Sequence, residues 1–164
     1  VLRERRRSSD GMRRFKKRYK RPKRPYDSAR IEEEKKILEE YGLRRKREIW
    51  VAEDILRNYR RRARELIAVK DKEKIDLLLA KLKKLGLLGK DSTLDDVLGL
   101  SVRDILNRRL QTIVWKKGIA NTPKQARQYI VHGHIMINKR RISSPSYLVP
   151  VEEEEKIEAR IKGG

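Results

Sequence analysis

The apolar residues of this chain change their period at Gly133, and few folds accommodate such a change. Upstream of it, Ile105, Leu106, Leu110, Ile113 and Val114 recur every three or four residues, which predicts one apolar face of a helix. Arg108, Arg109, Thr112, Trp115 and Lys116 fall toward the opposite side, so that a core side and a ligand side separate. Gly118 stops this helix. Thr122 is placed as the N-cap of a second one, with Pro123 preset in its first position and Gln125 spaced for a capping box. That helix buries Ala126, Tyr129 and Ile130 and turns out Lys124, Arg127 and Gln128, until Gly133 offers the left-handed backbone that ends helices. Beyond Gly133 the period is two. Ile135 and Ile137 alternate with His134, Met136 and Asn138, and Asn138 and Lys139 turn the chain toward residues 140–143, as in a hairpin of short strands. The predicted unit is helix, helix, hairpin over residues 101–150.

Charge narrows what this unit can bind. Residues 101–150 carry ten Lys or Arg and a single carboxylate, Asp104, for a local net charge of +9, and the whole chain carries +21. A patterned, foldable surface of that sign suits a polyanion, because neutralising phosphates releases their counterions. Arg108, Arg109, Thr112, Lys116, Lys117, Thr122, Lys124, Arg127, Lys139, Arg140 and Arg141 supply the cations and hydroxyls that a curved phosphate path requires. The amino end of the second helix adds free N–H groups near Thr122. His132 and His134 flank Gly133; taken alone, they fit a structural or solvent-exposed role as well as RNA contact. Two histidines without cysteine or a nearby carboxylate are too few for a metal site. Trp115 reads as packing against the upstream helices in preference to a platform for a base.

The words RRLQT, NTPKQARQ and HGHI, within RRLQTIVWKKGIANTPKQARQYIVHGHIMINKRR and followed by SPSYLV, closely resemble the RNA-binding domain named after small-subunit ribosomal protein S-four, in its archaeal and eukaryotic form. The likeness extends more loosely upstream through GLRRKREIW. It implies an α+β fold, with a helical N-terminal region, a basic extended arm and a small helix-helix-hairpin RNA-binding domain. It also implies a cytoplasmic structural constituent of the small ribosomal subunit that binds small-subunit ribosomal RNA beside neighbouring small-subunit proteins. A contact with mRNA near where it enters the subunit is compatible with the likeness. The module's cations, with His132 and His134, would lie on the RNA-facing side. One position departs from the family pattern: Lys139 stands where glycine usually follows the asparagine of the hairpin. Lysine disfavours a two-residue turn that needs positive φ twice, which leaves the turn type open.

The rest of the chain divides by charge and period. Residues 1–27 read as a basic, largely extended arm, since residues 1–30 hold fourteen Lys or Arg against three acids and cannot bury a core. Arg13, Arg14, Lys16, Lys17, Arg18, Lys20 and Arg21 are its candidate RNA contacts, with Phe15, Tyr19 and Tyr26 available to stack, and Met12 is a candidate initiator. Residues 28–100 read as a helical scaffold. A helix over 28–41 stops at Gly42, and a long helix over 43–69 buries Ile49, Ala52, Ile55, Leu56, Tyr59, Ala63, Leu66 and Ile67. Arg57, Arg60, Arg61, Arg62 and Arg64 stud its other side; of these, Arg60, Arg61 and Arg62 are candidates for a second phosphate surface. Asp71 caps the next helix, and residues 71–100 balance six basic against six acidic groups, as scaffold does. Thr93 with Asp96 and Ser101 with Asp104 predict two short capped turns. Residues 151–164 read as an acidic tail, most simply a solvated terminus, the alternative being contact with a basic neighbour in an assembly.

Several functions are disfavoured. Cysteine is absent, and the chain has no glycine-rich phosphate loop and no Ser/His/Asp arrangement, so the reading is non-enzymatic, with no cofactor and no small-molecule substrate. No apolar run approaches the length of a membrane span. An RNA-modifying enzyme carrying the same domain would lack room for its catalytic fold, and a DNA-compacting protein would explain the charge without the caps. A ribosome-biogenesis factor that binds precursor rRNA is the alternative reading.

Overall fold

The computed structural model describes residues 19–89 and 91–160. Arg13, Arg14, Lys16, Lys17 and Arg18 of the basic arm, and Met12 and Phe15, therefore lie outside the described residues. From Tyr19 to Asp27 the arm has no helix or strand, and the Tyr19 ring lies 5.8 Å from that of Trp50, so its end rests on the helical part.

Helix α1, Ser28–Glu40, ends where Gly42 takes φ +58°, with the Leu43 N–H donating to Leu38 O at 3.0 Å. This is the six-to-one closure that a left-handed residue permits. The long helix α2 spans Arg47–Val69, four residues later than the sequence suggests at its start. The reason is local: the Glu48 carboxylate accepts the Arg44 N–H at 3.2 Å, which holds residues 43–46 as an entry turn. Helix α3, Lys72–Lys84, is capped by Asp71, which accepts from the Lys74 N–H at 3.4 Å. The two capping boxes form as their spacing predicts, Thr93 with Asp96 opening α4, Leu94–Gly99, and Ser101 with Asp104 opening α5, Val102–Asn107.

The helix expected to run through Ile105 to Val114 is two helices. It breaks at Arg108 and Arg109 and resumes as α6, Leu110–Lys116. The interruption comes from distant chain: Leu110 N–H donates to Tyr147 O at 2.8 Å and Val149 N–H to Arg108 O at 3.0 Å, and Arg109 pairs with Leu148 as a bridge of extended backbone. Helix α7, Pro123–Val131, is capped by Thr122 and stopped at Gly133, φ +73°. Strand β1, Ile135–Ile137, then turns into β2, Arg140–Arg141. Ile137 pairs with Arg140, and Asn138 and Lys139 both have positive φ, +50° and +62°, so the tight two-residue turn forms despite the lysine.

The acidic C-terminal stretch is a correction to the expected solvated tail. It forms a single turn, α8, Val151–Glu154, and then β3, Ile157–Ala159, which pairs antiparallel with β1. The hairpin is thereby a three-stranded sheet of order β2-β1-β3. Ile157 enters the module's core with Leu110, Ile113, Val114, Ala126, Ile130, Ile135, Ile137 and Val149, a burial worth about 1.5 to 3 kcal/mol for a side chain of its size. Two further clusters sit in the helical part, one of α2, α3 and α4 around Leu56, Ala63, Leu82 and Val97, the other joining Tyr41 and Ala52 to Ile105 and Leu106. Among the described residues no helix is long and apolar enough to cross a membrane.

Candidate nucleic-acid interface

The candidate cations divide into those that face outward and those that hold the two parts together. Arg109 is 5% exposed, and its guanidinium donates to the Glu48 carboxylate at 2.6 Å. Arg127, half-buried on α7, donates to the same oxygen at 3.1 Å and to Gln111 Oε1 at 3.2 Å. Glu48 thus gathers two arginines from the module onto the first turn of α2. Burial pushes its carboxyl up, but the hydrogen bonds and charges of Arg127 and Arg109 outweigh this and hold it below the ordinary carboxylate value. Burial also lowers the Arg109 guanidinium against the opposing pull of Glu48, yet arginine stays charged at any physiological pH.

Gln111 adds a second joint. It is 1% exposed, and its amide nitrogen donates to Tyr41 O, Gly42 O and Pro123 O at 3.1, 3.1 and 3.0 Å. Those carbonyls meet because Gly42 has no side chain: a Cβ there would stand 2.8 Å from Pro123 Cβ and 3.1 Å from Lys124 N. The amino end of α7, expected as an open phosphate seat, is therefore backed by the α1–α2 turn, and Thr122 Oγ1 already accepts the Gln125 N–H at 3.2 Å. Arg108 makes a third joint. It donates to Glu154 and to Val149 O, both at 2.8 Å, and lies over Gly86, tying the C-terminal stretch to the loop after α3.

The expectation that Arg108, Arg109 and Thr112 share an outward face is accordingly corrected. Arg109 and Thr112 are buried, the Thr112 hydroxyl donating to Leu106 O at 2.7 Å, and Arg108 is half-buried in its ion pair. Arg60 is similarly drawn inward, its guanidinium donating to Leu100 O. The helical period of α6 had pointed outward because the partners that capture these groups lie far away in sequence.

Lys116, Lys117, Thr122, Lys124, His132, Lys139, Arg140 and Arg141 are exposed, as are Arg61, Arg62, Lys20 and Arg21. Lys116 reaches Asn107 Oδ1 at 3.0 Å, and Lys117 donates to Glu154 O. Around Gly133, three of these exposed residues, His132, Lys139 and Arg141, border a shallow groove of about 550 Å³ together with Tyr129, His134, Met136 and Arg160. The His132 and His134 rings stack at 6.3 Å, and Tyr129 meets His134 edge-on at 6.1 Å. Arg141 folds across Gly133 where a Cβ would overlap its guanidinium, and donates to His132 O at 2.7 Å. Planar rings beside the fixed Arg141 guanidinium suit stacking on an unpaired base, and Lys139 suits a phosphate next to it. Trp115 packs against the module's core.

A second cationic feature lies outside the site residues expected from the sequence. Arg44, Arg45 and Arg47 are exposed at the start of α2 and border a groove of about 520 Å³ that runs past Glu48 and Arg127. The signal was present as four consecutive cations in LRRKRE. Glu48 and Gln111 carried no such signal, because a lone carboxylate or amide looks unremarkable until its partners are placed beside it.

Comparison with known proteins bears on this geometry. A family model described as the S4 domain matches residues 108–155. The small ribosomal subunit protein uS4 of Korarchaeum cryptofilum is 52% identical over 149 residues, covering 90% of each chain. The uS4 protein of Ignicoccus hospitalis is 53% identical over 145 residues, covering 86% of this chain and 87% of that one. That of Nanoarchaeum equitans is 51% identical over 142 residues, covering 84% and 79%.

Proposed function

Because this chain belongs to the uS4 family of small ribosomal subunit proteins, we infer that it is a structural, non-catalytic constituent of the small subunit. In the cytoplasmic ribosome it binds small-subunit ribosomal RNA and helps assemble and stabilise the particle for translation. The observation that carries this reading is the extent of the match: identity continues from the module at 108–155 through the helical part, over 90% of both chains in one relative.

The surface supports a division of labour. RNA lies against Lys116, Lys117, Thr122, Lys124, Lys139, Arg140 and Arg141, with the Tyr129, His132 and His134 groove receiving an unpaired base. Arg44, Arg45, Arg47 and Arg61 extend the phosphate path along α2, and the arm reaches further RNA through Lys20, Arg21 and the cations before them. Affinity comes from phosphate neutralisation and specificity from shape and the splayed base. Arg108, Arg109 and Arg127 act through the joint, fixing the module at one angle to α2 so that both cationic surfaces meet one RNA fold. Contact with mRNA near where it enters the subunit is a finer reading, supported by family membership alone and tested by crosslinking mRNA to this chain on translating ribosomes.

Sedimentation of native lysate on sucrose gradients after a high-salt wash, following this chain by mass spectrometry, tests the function. Near-stoichiometric recovery in mature small subunits and translating ribosomes is expected. Recovery confined to precursor particles would replace it with a biogenesis role.

A further inference from the structure

Among the described residues, the α2–α3 hairpin carries the most exposed aliphatic side chains of the helical part. Leu77 is 71% exposed and Val69 70%. Between the two helices runs a groove of about 390 Å³ floored by Leu66, Leu77 and Leu78. Its α2 wall is Arg62, Glu65 and Leu66, and its α3 wall Lys74, Leu77, Leu78 and Lys81. Positions 62, 65, 66 and 69 follow the spacing of one helix face, so Val69 prolongs the same apolar stripe by a turn.

We propose that this groove docks an aliphatic, acidic segment of another protein of the small subunit. The proposal rests on membership of that particle, and two observations choose the occupant. First, an RNA strand would set phosphates against Leu77 and Val69, which are largely exposed and offer it no hydrogen bond, and only the α3 wall of the groove belongs to the charge-balanced residues 71–100. Second, the rim is cationic in its unpaired groups. Lys74 is matched by Asp71 at 2.7 Å, and Glu65 lies 3.7 Å from Arg61, while Arg62 and Lys81 are in no ion pair among the described residues. Leucine or isoleucine side chains fill the floor, and carboxylates flanking them meet Arg62 and Lys81, a complementarity that a second copy of this basic chain does not provide. Arg62, exposed and adjacent to Arg61, thus serves protein and not RNA.

The test uses the full chain carrying the photo-crosslinker p-benzoylphenylalanine at position 77, assembled into small subunits and irradiated, with the adduct sequenced. The expected adduct is an aliphatic segment of another subunit protein in which carboxylates outnumber cations. An adduct to ribosomal RNA, to a second copy, to a basic segment, or no adduct at all overturns the proposal. In parallel, Leu77→Asp and Lys81→Glu subunits are washed in salt and the partner quantified. Retention of the partner falls about tenfold for Leu77→Asp and by less for Lys81→Glu. Both variants still enter subunits and bind rRNA within about twofold of the parent chain, because neither residue is part of the RNA surface. Unchanged retention in both variants overturns the docking surface, whereas failure of the parent chain itself to enter subunits would refute the ribosomal role.

Discussion

Replacing Glu48 with Gln removes the carboxylate that Arg109 and Arg127 share while keeping its shape. The Arg109 side chain is 6% exposed and that of Glu48 18%, so water compensates the lost charge only in part. Breaking one partner of a buried pair costs about 3 to 5 kcal/mol, because the remaining charge stays buried and unpaired. The partial exposure of Glu48 places the expectation at the low end, about 3 kcal/mol, which for a chain of this size lowers the melting temperature by roughly 6 to 12 °C. The pH dependence has a definite sign. A carboxyl held below its ordinary value of 4.5 contributes stability that is fully present above the unfolded value and lost as pH falls through the folded one. Parent and variant should therefore differ fully at neutral pH and converge as the solution is acidified below about 4.5. Urea denaturation followed by far-UV circular dichroism at several pH values measures both. A Glu48→Gln chain within about 0.5 kcal/mol of the parent at neutral pH would refute the claim that this carboxylate holds the module to α2.

Other substitutions probe the turns and joints. Lys139→Gly relieves a non-glycine residue at φ +62° and should raise stability by about 1 kcal/mol, read as a higher melting temperature; a lower one would contradict the tight-turn geometry. Gly133→Ala places a Cβ in the space of the Arg141 guanidinium at φ +73° and should cost about 1 to 2 kcal/mol or more, with loss of the Arg141 hydrogen bond to His132 O, seen by thermal denaturation. Arg108→Ala frees Glu154 and Val149 O and should speed hydrogen exchange at the Arg160 amide, which donates to His134 O, more than at the α2 amides; uniform exchange would show that the C-terminal stretch does not depend on this clamp.

What could be read along the chain was what is determined within a turn or two. The caps at Asp71, Thr93, Ser101 and Thr122 form as their spacing indicates, and Gly42 and Gly133 stop helices, because donor, acceptor and backbone freedom all lie within six residues. The burial of Arg109 was not legible, since its partner Glu48 stands 61 positions away and a guanidinium on a helical spacing looks like any surface cation. The helix break at Arg108 has the same origin in residues 147–149. Strand β3 was missed although Ile157, Ala159 and Ile161 alternate with Glu158 and Arg160, because the run of acids before them, Glu152 to Glu155, reads as a solvated end and the alternation is only a few residues long. Lys139 illustrates the reverse case: local preference spoke against the turn, and pairing of β1 on both edges imposed it.

In the proposed function the exposed cations bind RNA and the buried arginines position them. The salt dependence of affinity for small-subunit ribosomal RNA tests it most directly, comparing the parent chain with a variant in which Lys116, Lys124, Lys139 and Arg140 are alanine. Each phosphate contact contributes roughly 0.7 to 0.9 to the slope of log affinity against log salt, so a slope shallower by about 3 with an unchanged melting curve is expected. An unchanged slope would contradict it, and so would a slope that falls only as the fold is lost.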